Sequence, residues 1–305
     1  LNLRRGVGRA VLRDRVLYRV VKELSALLDV QVDHGRALKA LRLAHVAHDV
    51  LVHALDLALL VDIALVVPDE LDDRAAVLIE PFACALHGAL RVSLNEKQTA
   101  LVIGCGSIGL LTIAALRASG YKARIVAAAR YDHQRRFARE LGANELLESP
   151  SGVAERYRLW AKSLSAEVLK AEMGNPMVVG GTDVVFDCAA SSQSIDDGIR
   201  FTKSGGTFVL VGMPGTPWGV DWTPIWFKEL TIRAAYAYGP ERCADGARDT
   251  FDLAIEHMRT WGPKLSPLVG EPFELKEYLS AIGAALNTGR SGAVKTVFAI
   301  RDERA

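Results

Sequence analysis

Three glycines define the most specific chemistry in this chain. Residues Ala100 to Ala115 read Ala-Leu-Val-Ile-Gly-Cys-Gly-Ser-Ile-Gly-Leu-Leu-Thr-Ile-Ala-Ala, so Gly104, Gly106 and Gly109 fall in the G-x-G-x-x-G pattern. An apolar run with the character of a buried strand precedes them and a helical pattern follows, the context in which the pattern is a dinucleotide fingerprint. Gly104 permits a tight turn, Gly106 lets the backbone approach a pyrophosphate, and Gly109 lets the helix pack against the strand. The N–H groups of Ser107 and Ile108 at the helix start, with the helix dipole, suit phosphate charge. The plain alternative is a tight strand-to-helix turn that binds nothing.

The choice of dinucleotide is read about 20 residues further on, where an NAD site carries an acid for the ribose 2′-hydroxyl. Here Ala129 is followed by Arg130, Tyr131 and Asp132. Arg130, helped by Arg135 on the next helix, offers a cation to a 2′-phosphate. NADP is therefore expected ahead of NAD, the alternative for Arg130 being an exposed loop charge. Asp132 is expected to cap the helix from Gln134.

Metal chemistry has weaker signals. His45 and His48 share a helix face if that segment is helical, His53 does not, and no H-E-x-x-H is present. Cys84, Cys105, Cys188 and Cys243 are widely spaced and form no C-x-x-C pair, which fits small apolar cysteines in a reducing cytoplasm. His87 reads as packed rather than catalytic. Trp218, Trp222 and Trp226 recur every four residues with Phe227 beside them, consistent with a pocket wall, a subunit interface or plain packing.

The elements that must position these groups follow from the rest of the chain. Its 305 residues suit one large domain or two ordinary ones, and its formal charge of +1 makes no case for nucleic acid or a membrane surface. No apolar run approaches a membrane span, no secretory signal is read, and a cytoplasmic protein is expected. Residues 1–65 hold no proline and only Gly6, Gly8 and Gly35; this atypical segment reads as helical or poorly ordered. From Pro68 onward Gly and Pro recur at turn spacing.

Strands are expected at 101–103, 124–128, 145–147, 184–188, 207–211, 231–237 and 294–300. Helices are expected at 77–90, opened by Asp72, Asp73 and Arg74, and at 107–119, 132–141, 153–172, 191–201, 243–259 and 275–286. The alternation implies an α/β fold, a doubly wound Rossmann-type parallel sheet with helices on both faces and a ligand crevice at the carboxyl ends of its strands. The segments divide as 1–65, a linking region 66–98, a dinucleotide-binding domain 99–265, and a returning helix and strand 266–305.

From about Val66 onward the motifs, taken together, resemble the medium-chain dehydrogenase/reductase superfamily, and most closely its zinc-type alcohol, polyol and threonine dehydrogenase-like branch. They are Val67-Pro68-Asp69-Glu70-Leu71 leading to Ala76-Val77-Leu78-Ile79-Glu80-Pro81, the glycine fingerprint, Gly181-Thr182-Asp183-Val184-Val185-Phe186-Asp187-Cys188, Gly205-Gly206-Thr207-Phe208-Val209-Leu210-Val211-Gly212-Met213-Pro214 and Ser291-Gly292-Ala293-Val294-Lys295-Thr296-Val297. The resemblance implies an NAD(P)-dependent oxidoreductase moving a hydride between nicotinamide and a secondary alcohol, polyol or hydroxy amino acid, in a homodimer or homotetramer. It places Cys188, Val211, Gly212 and Met213 at the cofactor, Ala235 and Tyr236 near it at the subunit interface, and Glu80 at or near a catalytic zinc. It also implies an N-terminal chaperonin-10-like domain that supplies a cysteine and a Gly-His-Glu motif to that zinc. Neither motif occurs ahead of Cys84, and a truncated or misread upstream frame, rejoining the family near Leu65, would account for that. The alternative is a dinucleotide-binding protein or fragment without the zinc site. Ala190 stands where the family commonly has glycine.

Overall fold

A computed structural model of the chain describes residues 66–171, 175–243 and 246–299, and those from Asp69 onward belong to one compact unit. His45, His48 and His53, and the expectation of a helical or poorly ordered leading segment, lie outside the described residues.

The chain enters through α1 (Asp73–Ala76) and α2 (Ile79–Ala89). Asp72 caps α1, its Oδ1 accepting the Ala75 N–H at 2.6 Å. The helix expected over 77–90 is found as α2, which starts two residues later because the short α1 ends in a turn at Val77 and Leu78. Then come β1 (Thr99–Ile103), α3 (Ser107–Ala118), β2 (Arg124–Ala129), α4 (Asp132–Glu140), β3 (Glu145–Glu148) and α5 (Val153–Ser163). The next elements are β4 (Ala166–Leu169), β5 (Met177–Gly180), β6 (Thr182–Asp187), α6 (Ser192–Phe201), β7 (Thr202–Leu210), α7 (Thr223–Phe227) and β8 (Thr231–Ala234). Beyond β8 lie β9 (Pro240–Cys243), β10 (Gly246–Asp249), α8 (Thr250–Leu265), β11 (Phe273–Glu274), α9 (Tyr278–Leu286), α10 (Thr288–Ser291) and β12 (Phe298–Ala299).

Six strands form one parallel sheet in the order β3-β2-β1-β6-β7-β8. Side chains alternate between faces along a strand, yet Ala100 to Ile103 and Ile125 to Ala129 are all buried. Both faces are therefore covered, as an all-parallel sheet requires. On one face Leu101, Ile103, Val126 and Val185 pack with Tyr157, Trp160, Ile195 and Phe201 from α5 and α6. Chain order reverses between β1 and β6, which opens the crevice at their carboxyl ends.

Several expected elements differ. The helix expected over 153–172 stops at Ser163; Ser165 turns in the left-handed region at φ 52°, and β4 and β5 pair antiparallel. β-Branched Val168, Val178 and Val179 favour this extended ribbon. The helix expected from Cys243 begins only at Thr250, capped by the Asp249 side chain on the Phe251 N–H at 2.8 Å, after the β9–β10 hairpin. The strand expected over 231–237 ends at Ala234, and that over 294–300 pairs in two places, by a bridge from Lys295 to Val269 and at Phe298–Ala299. Asp132 does not cap from outside α4: it is the first helical residue, and Gln134 Oε1 accepts the Tyr131 N–H at 3.4 Å.

Several charged groups inside the fold are matched by partners. Arg156 is 1% exposed and forks onto Asp197, with Nε at 2.7 Å and Nη2 at 3.0 Å. Arg200 binds Asp196 at 3.1 Å and Asp221 at 2.6 Å. Lys228 donates to the carbonyls of Arg200 and Thr202 at the end of α6.

Candidate cofactor site

One row of registered residues, Ala128, Ile103, Asp187, Leu210 and Ala234, crosses the sheet from β2 to β8. The chain leaves each strand at this level, so Arg130, Gly104, Cys188 and Val211 emerge side by side although far apart in sequence. A cavity of about 390 Å³ opens there, lined by Gly104, Gly106, Arg130, Tyr131, Cys188 and Ala189 among others.

The three glycines differ in what surrounds them. Gly104 has φ +89°, and a Cβ on it would lie 2.7 Å from the Ala189 Cβ. A Cβ on Gly109 would lie 1.9 Å from the Gly104 carbonyl oxygen. These two are demanded by the fold itself. A Cβ on Gly106 would meet nothing within 4 Å, and its φ of −76° is open to any residue. Gly106 caps α3 without a side-chain partner, and the first turn of α3 carries no acid. Ile108 is half-buried there, and the Ser107 hydroxyl is committed to the Val294 carbonyl at 2.7 Å.

At the end of β2, Arg130 is exposed and its guanidinium has no partner among the described residues. Arg135 folds back over the strand end, with Nε on the Ala129 carbonyl at 3.4 Å and Nη1 at 3.5 Å from Asp132. Arg130 lines the cavity wall, whereas Arg135, like Val211, Gly212 and Met213, stands just outside it. Tyr131 lies against Gly289, where a Cβ would approach its ring to 2.4 Å. The deep end is formed by Arg156, Trp160 and Asp197. Sequence reasoning passed over these, because a buried ion pair between two helices has no local signature.

On the other side Cys188 Sγ lies 3.6 Å from the Thr112 hydroxyl. Burial pushes the Cys188 thiol well above its ordinary pKa and that of Cys105 up to about 12, so neither is a thiolate at neutral pH. Val211 is buried and Met213 exposed, with Gly212 packed against Ala190 between them. Ala190 is left-handed at φ 55°, a physical reason for glycine to be common there. Trp218, Trp222 and Trp226 are exposed, which removes plain packing as their explanation.

Residues 107–258 match the family model of the zinc-binding dehydrogenases. This segment belongs to the zinc-type, alcohol dehydrogenase-like family. The chain is 27% identical over 233 residues to the L-idonate 5-dehydrogenase of Vitis vinifera, covering 76% of this chain and 57% of that protein. Among solved structures it resembles the 2R,3R-butanediol dehydrogenase of Bacillus subtilis, at 26% identity and TM-score 0.58, covering 77% of this chain and 60% of that one. An alcohol dehydrogenase of E. coli CFT073 in complex with NADH has the same fold at 22% identity and TM-score 0.61, with 78% and 62% covered. The chain thus spans about three-fifths of the length of these family members.

The family's zinc finds little to hold it in this part of the protein. Glu80 is exposed on α2 and accepts the Cys84 thiol at 3.4 Å; burial and the Glu80 charge push that thiol up to about 12. His87, one turn on, is bound to Glu241, which also takes Arg91 at 2.9 Å. Among the described residues no three His, Cys, Asp or Glu side chains gather in a metal-binding group. Zinc takes three or four protein ligands, so the described residues do not suffice for it.

Proposed function

We propose that the crevice binds a nicotinamide dinucleotide and that the protein is an oxidoreductase acting on a secondary alcohol, polyol or hydroxy amino acid. Gly106 carries the reading. Nothing in the fold requires glycine at this position, whereas a pyrophosphate pressed onto the α3 N-terminus does. The bound nicotinamide supplies the chemistry by giving or accepting a hydride. The chain's own residues bind and orient it: the α3 amides take the phosphates, and the loops after β6 and β7 support the nicotinamide end.

Arg130 favours NADP(H), since an unpaired guanidinium stands where an NAD site keeps a carboxylate. The test is titration of the purified chain with NADPH and NADH, followed by nicotinamide fluorescence. NADPH is expected to bind tighter, and Arg130→Ala to weaken NADPH by about tenfold or more with little change for NADH. Failure to bind either dinucleotide overturns the reading. A second reading, dinucleotide binding without turnover, draws on the lack of a metal-binding group among the described residues; metal analysis after zinc loading separates the two, since it predicts no bound zinc.

A further inference from the structure

Asp187 ends β6 and is fully buried. Its backbone and side chain hold different loops. The carbonyl oxygen accepts the N–H groups of Val211 at 3.0 Å and Gly212 at 2.9 Å. The carboxylate Oδ1 accepts those of Ala189 at 3.1 Å and Ala190 at 3.3 Å. One residue therefore ties together loops 188–190 and 211–213, both assigned above to the nicotinamide end.

The space between these loops is narrow. A Cβ on Gly212 would stand 2.6 Å from the Ala190 Cβ, and one on Gly104 would stand 2.7 Å from the Ala189 Cβ. Loop 188–190 is thus wedged between the fingerprint turn and loop 211–213. Within it Ala190 is held at φ 55°, a conformation that a side chain disfavours. Something must hold it there, and the hydrogen bond from its N–H to Asp187 does so. The carboxylate's own situation is costly: Oδ2 is buried with no hydrogen-bond partner. Burial pushes its pKa up, against the nearby Ser194 hydroxyl and the two loop amides, and the Asp197 carboxylate adds to the upward push. A neutral Asn offers the same acceptor without the buried charge, its amide NH2 taking the place of Oδ2.

We propose that Asp187 is a positioning residue of the cofactor crevice, holding loops 188–190 and 211–213 at the spacing that admits the nicotinamide nucleotide. The inference rests on the cofactor reading above.

The experiment uses the full chain, with NADPH and NADH titrations and thermal melting in parallel. Asp187→Asn keeps the loop acceptor and should bind within about twofold of the unsubstituted chain, while Asp187→Ala should lose about tenfold or more. Adding Ala190→Gly to Asp187→Ala should recover about threefold or more, because glycine holds the left-handed turn unaided. A purely structural role gives another pattern: Asp187→Ala melts earlier, binds as well as before and shows no coupling to Ala190→Gly. That pattern overturns the proposal, as does an equal loss in Asp187→Asn and Asp187→Ala. If Asp187→Ala does not fold, the double variant is compared with Ala190→Gly alone, and equal affinity overturns the proposal. An unsubstituted chain that binds neither dinucleotide removes the cofactor reading, and the proposal falls with it; binding by that chain with no effect of Asp187 removes only the proposal.

Discussion

Gly106 and Gly109 stand three residues apart at the start of one helix, yet a methyl group meets opposite conditions at the two. At Gly106 it enters open space; at Gly109 it would lie 1.9 Å from a backbone oxygen. Gly106→Ala should therefore leave stability within about 1 kcal/mol, the scale of a capping change, while weakening dinucleotide binding sharply. Gly109→Ala should cost about 3 kcal/mol or more through overpacking. Thermal melts and fluorescence titrations of the two variants check this, and a Gly106→Ala protein with unchanged affinity would speak against a pyrophosphate at this turn. The glycines and Arg130 were legible in the sequence because each answers to a local rule of turn geometry or spacing. Asp187 was not, since its importance comes from two loops that only the sheet register brings to it. Arg135 lay within reach of the crevice by spacing alone, but the Ala129 carbonyl and Asp132 draw it aside.

Among the elements, α5 and α6 show where periodicity stops being informative. The helical pattern of α5 continues past Ser163, but Ser165 and the valines beyond it turn the chain into an antiparallel ribbon. α5 and α6 are joined by Arg156 and Asp197, 1% and 4% exposed at their side chains. Removing one partner of a buried pair strands the other charge, so Asp197→Ala should lower stability by about 3–5 kcal/mol. Chemical denaturation measures this, and a loss near that of an exposed pair, below about 1 kcal/mol, would contradict it. The same pair forms the deep end of the cavity, so Asp197→Ala should also loosen the wall behind the nucleotide. The parallel strands themselves were legible as short apolar runs; the hairpin β9–β10 was hidden in a polar stretch that reads equally well as helix.

At the scale of the whole molecule, two groups of exposed apolar side chains stand out among the described residues. Leu275, Leu279, Ile282 and Leu286 are exposed on and before α9, and Trp218, Trp226 and Phe227 are exposed around α7. Contiguous apolar surface of this kind drives association. Residues 66–305 produced alone should therefore self-associate, with a sedimentation coefficient that rises with concentration; a monomer at every concentration would count against this.

The beginning of this unit is also fastened to α8 and the segment just after it. Glu70 pairs with Arg259 at 3.2 Å, Arg74 with Glu271 at 2.8 Å, and the Ser266 hydroxyl reaches Asp72 at 3.3 Å. Contacts this distant along the chain close late in folding. During synthesis α1 and α2 leave the ribosome well before α8, so Leu78, Phe82 and Leu86, fully buried in the finished fold, must wait for it with part of their surface in water. That interval is when this protein is most open to capture by a chaperone or to aggregation with its neighbours.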